Sequence, residues 1–328
     1  MAILVTGGAG YIGSHTVAEL LSHGEEVIVL DNLQKGHSEA VSATTFYVGD
    51  LRDSDLLDQI FTEHVIEAVI HFAADSLVGE SVSDPLKYYQ NNVASTLNLL
   101  IKMKEYGAQQ IVFSSTAATY GEPQHIPILE SDLTLPTNPY GETKLAIEKM
   151  LYWCEQAYGI HFVALRYFNA AGADPQGRIG EDHHPESHLI PLILQVALGQ
   201  RESITIFGDD YPTSDGTCVR DYIHVLDLAQ AHYLALNKLR SSQKSGIYNL
   251  GNGQGFSVLE VIEAARRVTG HPIPTQIGNR RPGDPAVLIA SSNLAQDELG
   301  WVPKWDGLKQ ILETAWNWHR NHPKGFLK

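Results

Sequence analysis

A phenol and an ammonium stand four residues apart in the run Tyr140-Gly141-Glu142-Thr143-Lys144. If the run is helical, both side chains leave one face, one turn apart. A phenol with a pKa of about 10 is a poor base at neutral pH. A nearby ammonium favours the phenolate and brings it toward a useful range, which makes the pair a candidate for proton transfer. Alone, such a pair is common on solvated helical faces, so its meaning depends on what surrounds it. A neighbouring hydroxyl would complete it by sharing the proton of a substrate OH. The stretch Ser114-Ser115-Thr116-Ala117-Ala118-Thr119-Tyr120-Gly121 supplies several, and Thr116 is the choice.

The elements that must position these groups are legible around them. Asn138 can cap a helix and Pro139 suits its first position. Leu145, Ile147, Met150 and Leu151 then recur at helical spacing. Gln110 to Ser114 reads as a strand delivering Thr116, and a long helical pattern runs from Asp84-Pro85 to about Tyr106. Asn91, Asn92 and Val93 lie on that helix, where an asparagine can fix the loops that border a site.

Upstream, Ala2 to Val5 is a short apolar run followed by Thr6-Gly7-Gly8-Ala9-Gly10-Tyr11-Ile12-Gly13 and an expected helix through about Leu21. Strand, glycine-rich turn and helix in this order predict a dinucleotide site. Glycines permit a tight turn and close approach of backbone to a pyrophosphate, and the helix start offers N–H donors. A second strand, Val27 to Leu30, ends at Asp31, which suits the ribose hydroxyls and would repel a 2′-phosphate, so NAD is favoured over NADP. Thr44 to Val48 reads as a third strand, after which Asp50 suits the adenine amino group and Leu51 the adenine pocket. Ala68 to Phe72 reads as a fourth, and the small residues Ala73 and Ala74 admit close approach. His161 to Leu165 is a further strand. This alternation predicts an α/β fold with a Rossmann-type doubly wound parallel sheet, ligand at the C-terminal strand ends, and a smaller mixed α/β C-terminal substrate domain.

The bulk properties narrow the classes. The 328 residues suffice for one large or two moderate domains. A net charge of −15 argues against nucleic-acid partners and against an anionic membrane surface. No apolar run reaches the roughly 20 residues of a membrane span. Two cysteines, Cys154 and Cys218, give no disulfide framework, and the chain opens directly on a strand-like run with no room for a signal peptide. A cytoplasmic location is expected.

Together the glycine turn, Asp31, the Thr116 region and Tyr140-x-x-x-Lys144 resemble the extended short-chain dehydrogenase/reductase family. Within it, His71-Phe72-Ala73-Ala74, Tyr88-Tyr89-Gln90-Asn91-Asn92-Val93 and Arg166-Tyr167-Phe168-Asn169 are similar to the UDP-sugar 4-epimerases, over nearly the whole chain. The resemblance implies interconversion of UDP-galactose and UDP-glucose, in galactose metabolism, through a 4-keto intermediate with tightly bound NAD. It implies that Tyr140 is the base, that Lys144 holds the nicotinamide ribose and lowers the tyrosine pKa, and that Thr116 stands where the family usually has serine. Gly7, Gly10, Gly13, Tyr11, Ile12, Asp31, Asn32, Asp50, Leu51, Phe72, Ala73, Ala74, Asn91 and Phe168 would line NAD. Ser76 departs from members that carry a cofactor-contacting lysine there.

After Asn169 the alternation weakens, and residues 171–328 read mainly as a nucleotide-sugar-binding domain beside a cofactor domain of residues 1–170. Segments near 220–255, including a strand at Ile247 to Leu250, are expected to return to the first sheet. Gly172 to Pro185 reads as a polar loop, and His183, His184 and His188 as a solvated patch without a metal. By resemblance, Asn169 keeps its family identity, and His188 replaces an asparagine that reaches the substrate phosphates beside Leu189. Thr205, Ile206 and Phe207 would hold uracil. Arg220 in Val219-Arg220-Asp221-Tyr222 and Arg281 in Arg280-Arg281-Pro282-Gly283-Asp284 would bind phosphate, for which planar guanidinium donors are suited. Asp284 would hold the uridine ribose, and Val287 would be the gate residue that decides access for N-acetylated sugars. Trp316 and Trp318 read as core. The resemblance also suggests a homodimer packed through helices near 85–105 and 140–157. A 4,6-dehydratase would need an Asp-Glu pair where Ala117-Ala118 stands. A UDP-pentose or UDP-uronate 4-epimerase remains an alternative, and an NAD-sensing regulator would tend to lose the tyrosine-lysine pair.

Overall fold

Ala2–Thr6 is buried along its whole length, as a strand covered on both faces must be. Its side chains alternate, so Ile3 and Val5 enter one apolar cluster while Ala2 and Leu4 enter another. The computed structural model describes residues 1–42, 45–281 and 284–326. Thr44, Pro282 and Gly283 of the expected elements lie outside the described residues.

The first part of the chain runs β1 (Ala2–Thr6), α1 (Tyr11–Ser22), β2 (Val27–Asp31), β3 (Thr45–Val48), α2 (Ser54–Glu63) and β4 (Ile66–His71). Next come α3 (Val78–Ser83), α4 (Pro85–Tyr88), a π-helical turn (Tyr89–Ala94) and α5 (Ser95–Tyr106). β5 (Gln110–Thr116), α6 (Pro139–Tyr158), β6 (His161–Tyr167) and β7 (Asn169–Ala171) follow. The remainder is α7 (Leu189–Ala197), β8 (Ile204–Phe207), β9 (Val219–His224), α8 (Val225–Ser242), β10 (Gly246–Leu250), β11 (Gly255–Ser257), α9 (Val258–Thr269), β12 (Thr275–Gly278), β13 (Val287–Leu288), α10 (Asn293–Leu299) and α11 (Leu308–Asn321).

Seven strands form one sheet in the order β10-β6-β5-β4-β1-β2-β3, every pair parallel. α1 and α8 cover one face, and α2, α5 and α6 cover the other. The strand order reverses between β1 and β4, so their C-terminal ends open a crevice. β10 comes from late in the chain and pairs with β6, Gly246 opposite Val163. A third apolar cluster joins α7, α9 and α11 with β8. Beside it lie two small sheets, β11-β9-β13 with β7 on β9, and β12-β8. Trp318 is fully buried there. Among the described residues, no helix is long and apolar enough to cross a membrane.

The helix expected from residue 85 to 106 is continuous but widens into a π turn at its middle. That irregularity carries Asn92, which bonds to Thr143 of α6, and π turns recur at functional sites.

Candidate active site

The turn after β1 is shaped by contacts that leave no room for side chains. A Cβ at Gly13 would lie 2.2 Å from Gly7 O, so α1 can begin against the turn only with glycine there. At Gly10, the residue that caps α1, a Cβ would meet nothing nearer than Gly7 O at 3.4 Å, and no side chain caps the helix. The start of α1 therefore presents backbone N–H groups to open space, a cradle that suits a pyrophosphate. Asp31 is 8% exposed at the end of β2. Burial raises its pKa, while N–H groups of Leu33 and Ala9, both 2.9 Å away, oppose that by donating to its carboxylate. These features fit a dinucleotide.

The other expected cofactor contacts vary in what they already hold. Tyr11 donates its hydroxyl to Gly172 O at 2.6 Å, so it ties the turn to the later half of the chain. Ile12 packs against the α1 side of the core. Asn32 donates to Asp50 at 2.9 Å. Arg52 grips both Asp50 oxygens at 2.7 Å and holds that carboxyl well below the usual range. Asp50 is thus held in place beside Asn32 by a cation. Leu51 is 5% exposed and packs in the core with Leu57 and Ile60. The N–H groups of Phe72 and Ala73 donate to Thr6 O at 2.8 and 3.1 Å, which brings Ala73 against Gly7. Ala74 is half-buried behind them, and Ser76 is exposed.

Asn92, rather than Asn91, does the anchoring on the π turn. It is fully buried and accepts from the Asp75 N–H at 2.8 Å. It donates to Asp75 O and to Thr143 Oγ1, both at 3.0 Å. The loop after β4 is thereby bound to α6. Asn91 is half-buried and its side chain bonds to Asp75.

α6 starts as its sequence predicts. Asn138 Oδ1 accepts from the Gly141 N–H at 2.9 Å, and Pro139 is the first helical residue. A Cβ at Gly141 would lie 2.5 Å from Ala118 O, so glycine lets this helix start press against the turn after β5. The hydroxyl of Thr116, the last residue of β5, meets that of Tyr140 in a hydrogen bond. Burial raises the Tyr140 pKa and the Thr116 bond opposes it. Lys144 is 3% exposed and donates its Nζ to Ser114 O at 2.8 Å, 4.9 Å above the Phe113 ring. Burial draws its pKa down to about 7, with Glu148 pulling upward. The Lys144 ammonium reaches the Ser114 carbonyl of β5, and the Thr116 hydroxyl is the group that favours the phenolate.

On the substrate side, Phe168 and Asn169 are half-buried after β6, and Asn169 pairs with Tyr222 of β9. Arg220 forms an ion pair with Asp284 and donates to Val219 O at 2.9 Å. The residues expected on phosphate and ribose are thus bonded to each other. The Arg281 guanidinium lies 4.1 Å over the ring of Phe207, which is 38% exposed. Ile206 packs in the core and Thr205 is half-buried, so β8 offers the aromatic ring and its backbone. Val287 is half-buried and pairs with Val219.

The expected solvated patch holds for His184 and His188, which are exposed, while the loop that carries them is pinned through its acidic residues. Glu181 is 4% exposed, and its carbonyl accepts from Trp318 Nε1 at 3.1 Å. The backbone N–H of Phe326 donates to Asp182 at 2.9 Å, and the His183 ring meets Tyr11 edge-on at 6.3 Å. Long-range contacts invisible in a polar stretch pin this loop to the glycine turn. His188 caps the start of α7 next to half-buried Leu189 and bonds to Glu181. Against the cost of burial, Glu181 lifts the His188 imidazole to about 9, a cation at neutral pH. Ligand atoms of Glu181, His183, Glu186 and His188 lie within 4.8 Å of one another.

Sequence reasoning passed over Glu148, Tyr120 and Asn249. They form a buried polar layer with Arg166 behind the site. The one local signal was a glutamate a turn beyond Lys144 among apolar neighbours.

Comparison with known proteins extends this geometry. Residues 3–251 match the NAD dependent epimerase/dehydratase family. The chain is 70% identical to a UDP-glucose 4-epimerase of Halalkalibacterium halodurans, over 99% of this chain and 98% of that one. A crystal structure of a UDP-glucose 4-epimerase superposes with a TM-score of 0.98 at 57% identity, covering 100% of both chains. The Bifidobacterium longum UDP-glucose 4-epimerase, in complex with NAD+ and UDP, has a TM-score of 0.94 at 43% identity, covering 99% of this chain and 100% of that one.

Proposed function

The chain belongs to the NAD-dependent epimerase/dehydratase family, and from that premise we propose that it interconverts UDP-galactose and UDP-glucose, inverting C4 of the sugar with tightly held NAD. One observation carries the reading. The hydroxyls of Tyr140 and Thr116 meet beside buried Lys144, at strand ends that border the open start of α1.

In this reading the glycine turn holds the pyrophosphate and Asp31 the adenosine ribose, while Lys144 faces the nicotinamide ribose. Bound there, NAD would supply the hydride acceptor for C4 and, once reduced, the donor for its return. Tyr140 takes the proton of the sugar 4-OH through Thr116 and gives it back to the 4-keto oxygen from the other side. Arg220, Arg281 and His188 hold the diphosphate, Asp284 the uridine ribose, and Phe207 the uracil. Asn169 and Leu189 border the sugar. Anchoring the nucleotide and leaving the sugar loosely held places binding energy on the non-reacting part, so the keto sugar can turn and present its other face.

We also infer a homodimer. Leu97, Ile101, Tyr152, Trp153 and Tyr158 are exposed on α5 and α6, and pairing of these helices would bury them. The two free cysteines fit a reducing cytoplasm.

The test uses purified protein with no NAD added. UDP-galactose is expected to yield UDP-glucose, and denatured protein to release NAD. Absence of conversion, even after NAD is supplied, would overturn the reading.

A further inference from the structure

The polar layer behind Tyr140 has no part in the mechanism above. Glu148 is 3% exposed and one helical turn beyond Lys144. Its carboxylate accepts from Ser115 Oγ at 2.5 Å, from Arg166 Nε at 2.9 Å and from Arg166 Nη2 at 2.5 Å. Arg166 is 4% exposed and also donates to Tyr120 OH at 2.9 Å. Tyr120 OH in turn donates a hydrogen bond to Asn249 Oδ1 at 2.7 Å. One carboxylate therefore joins the residue that precedes Thr116 to the helix that carries Tyr140 and Lys144. Buried ion pairs add little stability over apolar side chains of the same shape, so stability alone does not explain this one.

We propose that Glu148 is a positioning residue for the epimerase reaction, the buried counter-charge one turn beyond Lys144 whose bond to Ser115 holds Thr116 in place. The inference rests on the function proposed above.

The surroundings of Lys144 favour Glu148 for this part. On α6 itself lie Tyr140, whose pKa burial raises, and Glu148. β5 presents Ser114 O and the Phe113 ring. β4 presents His71, which lies between the hydroxyls of Thr6 and Thr96 at 2.6 and 2.8 Å. Burial first, and Lys144 second, lower that imidazole to about 3, so it is neutral. β6 brings Tyr167, whose hydroxyl bonds to Ser114, and Arg166, which stands on Glu148. Of these, Glu148 is the charge that acts on Lys144, and it opposes the effect of burial.

The test compares Glu148→Gln with Arg166→Met in the NAD-loaded enzyme, through the alkaline limb of the kcat/KM profile. Removing the carboxylate eases loss of the Lys144 proton, and removing the guanidinium leaves the carboxylate unopposed. The limb is expected to move to lower pH in Glu148→Gln and to higher pH in Arg166→Met, by about half a pH unit or more in each. A merely structural pair would lower kcat in both variants and leave both limbs in place, or move them the same way. Either result overturns the proposal. The pH at which bound dinucleotide is released, read by absorbance after gel filtration, is expected to shift in the same two directions. Each single variant leaves a buried charge unpaired, so folding is checked by thermal melting. If either fails to fold, the double variant Glu148→Gln/Arg166→Met leaves none. Its limb is expected below wild type, and a limb at the wild-type pH overturns the proposal. A wild-type enzyme with no epimerase activity would instead remove the functional reading on which this rests.

Discussion

Tyr140 bears the proton chemistry of this account, and its hydroxyl bonds to that of Thr116. Replacing Tyr140 by Phe removes the transferable proton and keeps the ring. Turnover is expected to fall by about 10²-fold or more, while the NAD content of the purified protein is unchanged. Thr116 separates a hydroxyl role from a packing role. Thr116→Val keeps the shape and loses the bond, and is expected to lower kcat about tenfold, the worth of one ordinary hydrogen bond. Thr116→Ser is expected to stay close to wild type. Equal losses in Val and Ser variants, measured under saturating UDP-galactose, would assign the threonine to packing.

At the level of elements, the start of α6 decides where the tyrosine points. Asn138 caps it, Pro139 begins it, and Gly141 lets it approach Ala118. Asn138→Ala is expected to cost about 1 kcal/mol of stability by denaturant titration, as loss of a helix cap does. Gly141→Ala pushes the helix from the turn after β5, and a displacement of about 1 Å at a reacting group can cost about 10²-fold in rate. A variant that folds normally but loses most of its kcat is the expected outcome. These local features were legible in the sequence because capping, helical spacing and glycine turns are short-range. What joins them was less so. The anchoring by Asn92 reaches 17 residues back and 51 forward. Arg220 meets Asp284 across 64 positions. The loop around Glu181 reads as polar and solvated, yet Trp318 reaches it from 137 residues away. The direction of Lys144 was hidden for the same reason, since its partner is a carbonyl on a strand 30 residues earlier. Periodicity places a side chain on a face and does not say what that face meets.

For the whole molecule, the buried histidines set the response to acid. His15, His71, His224 and His232 are each at most 1% exposed. Burial lowers them to about 4, 3, 3 and 4. In the unfolded chain each titrates near about 6.5, so between that pH and the folded values the unfolded state binds more protons. Their contribution is fully present above about 6.5 and is lost as pH falls. Stability is expected to decline on acidification by up to about 1.4 kcal/mol per pH unit for each histidine, visible as a falling melting temperature between about pH 6.5 and 4. A melting temperature that is flat over this range would contradict the neutral assignments. Charge placed on the exposed faces of α5 and α6 tests the proposed pairing. Trp153→Glu with Leu97→Glu is expected to sediment as a monomer where wild type sediments as a dimer, and a monomeric wild type would refute the pairing.

The central claim is that the hydrogen on C4 leaves the sugar and comes back to the same carbon without meeting solvent. UDP-galactose carrying deuterium at C4 tests it in ordinary water, with no cofactor added and the product read by mass spectrometry. The account predicts UDP-glucose that keeps its deuterium. Product carrying a solvent hydrogen at C4 would contradict it.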